Sequence, residues 1–486
     1  MPLKKAEGYT FTMKKIDRIL PETVELLHFI GIGGIGMSAI AEILIGKGYQ
    51  VQGSDMAEDS KTLSRLRKLG VKLFVGHDME NLEGADAVVV STAIKQDNPE
   101  LQKAKAMGIP VVHRAEMLAE LMRFQLSVAV GGTHGKTTTT ALVYSMLTAG
   151  GIEPSVVNGG ILNELGSNAR VGDGSWMVVE ADESDGSFKK LRPTVAIITN
   201  IDPEHMEHYG SEENLYQAFR DFAESIPFYG LAIMCGDHPT CAKLAESITD
   251  RRVATYGFSA GVNYRAMNLR PEGVATTFDL HISLRDREEV IPDITLQMVG
   301  RHNVLNSLAA IAAADEIDLP LAKALSGLEG FKGVGRRFSV LGAPEGVTLV
   351  DDYAHHPVEI DATLAAARQA FGTSKICAVM QPHRYTRLQD HMKEFARSLT
   401  VADEGVLLPV YKAGECEIEG INRETLANEM RALGFEKIHF AEDPSSIEAT
   451  IKPLMAKGDG VVFMGAGDIS TMAQKVATSM LASSAA

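Results

Sequence analysis

The stretch Val128-Ala-Val-Gly-Gly-Thr-His-Gly-Lys-Thr-Thr-Thr-Thr140 decides how the rest of the chain is read. Leu126 to Val130 is an apolar, β-branched run that predicts a buried strand; glycines follow, and a helical pattern starts at Lys136 and runs through Ala141, Leu142 and Met146. Strand, glycine-containing loop and helix in that order make an anion cradle, because loop N–H groups and the positive end of the helix dipole face the same point. In such a cradle Lys136 reaches the β- and γ-phosphates of a nucleotide, and the Thr137 hydroxyl takes a place on Mg²⁺. The pattern is imperfect: Val130 stands where the general phosphate loop has its first glycine.

Working outward, 486 residues are too many for one core and predict about three domains. With 45% hydrophobic and 23% charged residues the composition is that of an ordinary globular protein. A formal net charge of −16 argues against nucleic acid or an anionic membrane as the main partner, so anionic substrates must be met by local basic clusters. Cys235, Cys241, Cys377 and Cys416 are scattered, without a C-x-x-C pair, and read as structural thiols of a reducing compartment. Met1 to Glu22 is a polar segment, expected to be a mobile tail, without the apolar core of a secretion signal, and no run reaches the length of a membrane span. A soluble, cytoplasmic protein is expected.

Upstream of the phosphate loop, Val24 to Ile30 predicts a strand and Gly31-Ile-Gly-Gly-Ile-Gly36 opens a helix over Met37 to Lys47. A second strand, Tyr49 to Gln52, leads to Asp55, placed about 20 residues on, where an acid holds a ribose hydroxyl. The fingerprint reads pyrophosphate rather than nicotinamide, so it serves any nucleotide diphosphate. Further strands at Val71 to Phe74, Ala87 to Val90 and Ile109 to Val112 alternate with helices and predict a doubly wound α/β domain ending near Phe124.

Downstream, Trp176 to Val179 predicts a strand delivering Glu180-Ala-Asp-Glu-Ser-Asp185 at its carboxyl end, where an acidic group can carry Mg²⁺ beside a triphosphate. The strand Thr194 to Ile198 ends in Thr199-Asn-Ile-Asp-Pro-Glu-His205-Met-Glu-His208. Gly300-Arg-His-Asn-Val-Leu-Asn306 opens an alanine-rich helix, with Asn303 as the expected N-cap and Asn306 either capping or facing a base. The basic, glycine-rich Gly330 to Phe338 reads as a hinge into a third α/β domain. There a strand at Val347 to Val350 ends in Asp351-Asp-Tyr-Ala-His-His-Pro357, poor core material and an expected site loop. Another strand, Ile376 to Met380, ends in Gln381-Pro-His-Arg384-Tyr-Thr-Arg387, whose two arginines can clamp a carboxylate. Strands at Gly405 to Leu408 and Gly460 to Met464 complete that sheet, and Gly465-Ala-Gly467 after the last one reads as a turn. Trp176 is expected in a core, and Arg251-Arg252 and Arg285 to Glu289 on solvated faces.

Gly132-Thr-His-Gly-Lys-Thr-Thr138, Glu180 to Phe188, Thr199-Asn-Ile201 with His205-Met206, and Gly300 to Asn306, in fixed order, resemble the Mur ligases of peptidoglycan precursor synthesis, over about Leu26 to Ala473. The resemblance is greatest to the branch that adds L-alanine, through Gly31 to Met37, Glu180 to Asp185, Asp351 to Pro357 and His383 to Arg387. It implies three domains: a Rossmann-like UDP-sugar domain over residues 1–124, a P-loop-type ATPase over 125–335, and a Rossmann-like amino-acid domain over 336–486. The implied reaction joins L-alanine to UDP-N-acetylmuramate with ATP and Mg²⁺, two ions being expected. By family position, Gly31, Gly33, Gly34, Gly36, Asp55, His77 and Ser91 hold the UDP-sugar. Gly132, Thr133, His134, Gly135, Lys136, Thr137, Thr138, His302, Asn303, Asn306, Arg337 and Asp352 take ATP. Thr137, Glu180 and His205 ligate metal; Tyr353, His355, His383, Arg384 and Arg387 meet the amino acid; Lys136, His205, His355, Arg384 and Arg387 act in catalysis. The carbamylated lysine of several relatives is expected to be absent, since no lysine lies between Asn214 and Leu231.

Three rival readings stand at this level. A recycling ligase adds a preformed tripeptide to the same UDP-sugar. A nicotinamide oxidoreductase uses Gly31 to Gly36 but leaves Lys136 and Glu180 without a role, and a nucleotide-sensing module binds ATP without turnover. Oligomeric state is open between monomer and dimer.

Overall fold

The computed structural model describes Leu20, residues 24–123 and residues 125–485; the expected mobile tail, Leu20 apart, and the Phe124 boundary lie outside them. Three separate sheets follow one another along the chain. The first contains β1 (Leu26–Ile30), β2 (Gln50–Asp55), β3 (Lys72–Val75), β4 (Ala87–Val90) and β5 (Val111–His113), all parallel in the order β3-β2-β1-β4-β5. Strand order reverses between β1 and β4, and the crevice at the carboxyl ends of such a pair is where open α/β sheets bind ligands. Gly31 follows β1 and Ser91 follows β4, at that crevice. Local signals agree with the helices between strands: Asn98 accepts from the Glu100 and Leu101 N–H groups, Pro99 occupies the first turn, and Gly108 closes helix Pro99–Met107 at φ +70°.

The central sheet contains β6 (Leu126–Gly131), β7 (Ser155–Leu162), β8 (Ser167–Arg170), β9 (Trp176–Glu180), β10 (Val195–Ile198), β11 (Leu231–Cys235), β12 (Arg252–Gly257), β13 (Tyr264–Glu272), β14 (Ala275–Leu284) and β15 (Arg287–Leu296). Its order is β15-β14-β13-β12-β11-β10-β6-β9-β7-β8. The strand before the phosphate loop, β6, therefore lies between β10 and β9, so the segments after both neighbours flank the loop. The antiparallel ribbon β13–β15 was not anticipated, although β14 alternates buried and half-buried residues, with Phe278, Leu280 and Ile282 inside. Helix Arg301–Glu316 begins with Gly300 in the cap position at φ +95°, so Asn303 is not the N-cap: it sits one turn inside, donating to the Val299 carbonyl at 2.7 Å. Glycine takes the non-helical backbone there at no steric cost, which starts the helix earlier than its polar residues predict.

The third sheet contains β16 (Ser339–Gly342), β17 (Thr348–Asp352), β18 (Ile376–Met380), β19 (Glu404–Leu407), β20 (Ile438–Phe440) and β21 (Gly460–Met464), in the order β16-β17-β21-β18-β19-β20, with β16 alone antiparallel. The segment before it is stitched to both sides. Leu162 bridges Val334 and the Gly335 N–H donates to Ile161, whereas the Tyr353 N–H donates to the Arg336 carbonyl at 2.8 Å. Arg336 and Phe338 adopt φ of +63° and +44°, so the chain turns sharply where it changes domain. Arg336 also donates to the Gly465 and Gly467 carbonyls, which makes that glycine turn a packing element.

The cores are divided unequally. Leu27, Phe29, Ile40 and Leu44 of the first domain share one apolar cluster with Ala129, Val157, Ala169 and Val179 of the central one, while the third domain has clusters of its own on the two faces of its sheet. Helix Ile35–Gly46 lies against β7 and β8, and a Cβ at Gly46 would meet Val171 at 2.4 Å, so glycine lets the two domains close on each other. Trp176 is half-buried against the central core. Arg252 and Arg287 form ion pairs with Glu316 and Asp315 at the surface. All four cysteines are free, three of them buried. Among the described residues no helix is long and apolar enough to cross a membrane.

Candidate active site

The phosphate loop is held open by glycine and braced by β10. A Cβ at Gly132, where φ is +132°, would lie 2.0 Å from the Thr199 hydroxyl, and one at Gly135, where φ is +83°, would lie 2.7 Å from Asn306 Oδ1. Asn200 Oδ1 accepts from the His134 N–H at 2.7 Å, and the Asp202 N–H donates to the Thr133 hydroxyl at 2.9 Å. Lys136, first residue of helix Lys136–Gly150, turns back into the loop and donates to the Gly132 and Thr133 carbonyls at 2.7 and 2.9 Å and to Glu183 at 2.9 Å. Burial opposes its charge, but Glu183 and Glu180 outweigh burial and raise its pKa, so the ammonium is kept. Thr138 is buried beside it.

Acidic groups gather at the end of β9. Thr137 donates to Glu180 Oε1 at 3.2 Å, and the Gly159 N–H donates to Glu180 Oε2 at 2.6 Å. His205 adopts φ +57° and places Nε2 3.8 Å from Glu183 Oε1 and 3.9 Å from Glu204, so within 4 Å its acidic neighbours are Glu183, Glu204 and Glu207 rather than Glu180. Asp182 pairs with Arg114 at 3.0 Å.

Between the central and third domains lies a cavity of about 230 Å³, lined among others by His134, His302, Asn306, Arg337, Asp352 and Glu359. Asn303 also lines it, and Asn306 Nδ2 donates to Asn303 Oδ1 at 3.2 Å. Asp352 is buried, with both oxygens taken by the Phe338 and Ala354 N–H groups at 2.8 Å, and burial pushes its carboxyl up to about 6. Glu359 joins the two domains: His355 Nδ1 is 3.1 Å away, His134 Nδ1 3.7 Å and Arg337 4.0 Å. Burial opposes its ionisation, yet His355, His134 and Arg337 hold its carboxyl well below the usual range.

Around this junction the third domain sets Tyr353, His355, His383 and Arg387. The His355 ring stands edge-on to Tyr353 at 5.0 Å and to His383 at 5.9 Å; His383 stacks on Tyr411, and Arg387 Nη1 is 3.4 Å from His383 Nδ1. Burial, with His355 and Arg387 nearby, pushes His383 down to about 4, so the ring is neutral. Arg387 is half-buried and has no carboxylate within 4 Å among the described residues, whereas Arg384, at φ +70°, is exposed. The expected two-arginine clamp is therefore divided between an inward and an outward side chain.

In the first domain Asp55 holds the glycine loop itself, accepting from the Gly33 N–H at 2.8 Å and the Ala57 N–H at 2.9 Å. The Gly34 N–H donates to the Gly31 carbonyl, and Arg114 lies over Gly36, within 3.1 Å of a Cβ placed there. His77 is 2.9 Å from the Ser54 hydroxyl, which donates to the buried carboxylate of Glu100 at 2.6 Å. Sequence reasoning missed Glu183, Arg114, Glu100 and Glu359. Glu183 lay inside the acidic stretch already singled out; Glu359, three residues past His356 at a helix start, carries only the signal of a capping acid.

Residues 26–125 match the Mur ligase family, catalytic domain, residues 130–314 the Mur ligase middle domain, and residues 336–467 the Mur ligase, glutamate ligase domain. The UDP-N-acetylmuramate–L-alanine ligase of Mesorhizobium japonicum is 51% identical over 468 residues, 96% of this chain and 100% of that protein. That of Chelativorans sp. is 51% identical over 93% of this chain and 98% of its own length. The crystal structure of the UDP-N-acetylmuramate–alanine ligase of Thermotoga maritima superposes with a TM-score of 0.80 at 32% identity, covering 94% of this chain and 99% of that one. A ligase of the same organism solved in complex with ADP shares the fold, with a TM-score of 0.62 at 17% identity over 96% of this chain and 100% of its own. Matched in all three of its domains, the chain belongs to the Mur ligase family.

Proposed function

We propose that this protein catalyses ATP-dependent amide-bond formation between the lactyl carboxylate of UDP-N-acetylmuramate and the amine of L-alanine, in peptidoglycan precursor synthesis. The observation that carries the reading is half identity to L-alanine ligases over almost the whole chain. The cavity where the phosphate loop faces the third domain supports it. We assign residues 1–124 to the UDP-sugar, 125–335 to ATP and 336–486 to the amino acid, in the cytoplasm.

A carboxylate is a poor electrophile at neutral pH. The γ-phosphoryl of ATP passes to it, breaking the bond to the β-phosphate and releasing ADP; the amine attacks the acyl carbon of the acyl phosphate, inorganic phosphate leaves, and the amine's proton goes to solvent. The protein's task is alignment and charge neutralisation. Lys136 exchanges its contacts with the Gly132 and Thr133 carbonyls for phosphate oxygens, and Glu183 keeps it charged. Glu180, Asp182 and Glu183, set around Lys136 and Arg114, are an oxygen-rich, acid-rich surface that suits a hard divalent cation. Thr137, Glu180 and His205 would hold Mg²⁺, two ions in all, which neutralises triphosphate charge when bound. His134, Asn303, Asn306, His302, Arg337 and Asp352 bound the nucleotide. Arg387, with no carboxylate within 4 Å among the described residues, takes that of L-alanine, with Arg384 turning in and Tyr353, His355 and His383 walling the pocket. The amides of Gly31 to Gly36, with Asp55, His77 and Ser91 at the switch point, hold the UDP-sugar.

Phosphate release from ATP with Mg²⁺ and UDP-N-acetylmuramate, across free amino acids and the tripeptide, tests this. Release with L-alanine, and a product heavier by one alanyl residue, is expected. Release only with the tripeptide would move the chain to the recycling reaction, and no release with any of them would refute the proposal.

A further inference from the structure

Beside the phosphate loop, three side chains from two domains converge, and the ligase reaction gives a role to only one of them, His134. His134, Glu204 and His356 each offer one donor atom, and the three atoms lie within 4.8 Å of one another. Two are already close to metal spacing: His134 Nε2 is 3.3 Å from Glu204 Oε1, against about 3.3 Å between ligands of a tetrahedral ion with bonds of about 2.0 Å. His134 Nε2 and His356 Nδ1 are buried without a hydrogen-bond partner. Buried ring nitrogens normally find one, so two unpartnered ones within a single cluster need an explanation. On its far side His134 turns Nδ1 toward Glu359 Oε1 at 3.7 Å, the outer carboxylate that orients a metal-binding imidazole.

We infer that His134, Glu204 and His356 form a site for a transition-metal cation of the zinc class, separate from the Mg²⁺ set of Thr137, Glu180 and His205, and that the ion ties the central domain to the third. Two imidazoles and one carboxylate suit Zn²⁺, Co²⁺ or Ni²⁺ and are a poor set for Mg²⁺, which wants near-octahedral oxygen. The fourth position is left to water. Because His134 belongs to the phosphate loop and His356 to the start of helix Pro357–Phe371, the ion holds the two domains together and opposes opening of the cavity between them. The inference does not depend on which amino acid the enzyme joins.

The test uses the full chain without substrate. Zn²⁺ alone is titrated calorimetrically in excess Mg²⁺, and Co²⁺ is added separately to read its visible ligand-field bands. One Zn²⁺ per chain is expected, with an upward shift of the melting temperature and intense Co²⁺ bands of a four-coordinate site. His356→Ala and Glu204→Gln should each weaken Zn²⁺ at least tenfold, and Glu359→Gln about tenfold through His134. Glu204→Gln serves as the second arm should His356→Ala fold poorly. Unchanged affinity in Glu204→Gln, or Zn²⁺ displaced in proportion by Mg²⁺, would overturn the inference.

Discussion

The two junctions between the domains are built from opposite materials. First and central domains meet through a shared apolar cluster in which Ala169 and Val157 pack with Ile40 and Leu44, sealed at its rim by Asn168, which donates to the Ile35 carbonyl at 2.7 Å. Central and third domains meet across a cavity and a set of histidines and charges, with Glu359 between His134 and His355. An apolar junction gains stability from every group removed from water and opposes opening. A polar one built around a cavity gains less from apolar burial and suits a surface that admits and releases nucleotide. The first junction is a fixed seat, the second a working face.

Variants at each junction separate the two roles. On the working face Lys136→Ala should have the largest effect on turnover, lowering kcat by on the order of 10³ or more, since its phosphate contacts matter most in the transition state. Near-normal turnover in steady-state assays would remove the phosphate loop from the mechanism. On the seat, Ala169→Asp places an unpaired charge in the shared core and should cost about 3–5 kcal/mol in urea unfolding. Loss of activity without loss of stability there would mean that this junction, too, is a working surface.

A smaller effect is set by pH. The Asp352 carboxyl rises from 3.8 to about 6 on folding, because burial disfavours its charge. The folded chain therefore binds more protons than the unfolded one between those values, and the contribution, present below the lower value, is lost as pH rises through about 6. It amounts to about 3 kcal/mol at most. Asp352→Asn should flatten this part of the stability–pH curve; parallel curves for variant and parent would assign the slope elsewhere. Smallest, Glu359→Gln should lower kcat about tenfold, about 1.4 kcal/mol in barrier, while the melting temperature holds. A large melting shift instead would make Glu359 a structural strut.

Much of the fold was legible because its signals are local. Gly-rich turns after β-branched runs, Asn98-Pro99 and Gly108 around a helix, and the spacing from Gly36 to Asp55 each act over a few residues to a few turns, and the sheets formed around them. The ribbon β13–β15 carried its alternation openly in Phe278, Leu280 and Ile282, but a reading organised around strand-helix alternation passed over it. The Asn303 cap failed because backbone freedom at Gly300 outranked side-chain capping.

What the sequence alone determined was the set of chemical groups and the strand ends that carry them, since periodicity and turn chemistry are properties of neighbours in the chain. Only the tertiary structure decided partnerships. Glu183 rather than Glu180 is the carboxylate that grips Lys136, Asp55 braces its own glycine loop, Arg387 faces inward while Arg384 does not, and Glu359 reaches His134 across a domain boundary. Those pairings depend on distances between segments up to hundreds of residues apart, set by how sheets and helices pack, and no local rule along the chain encodes them.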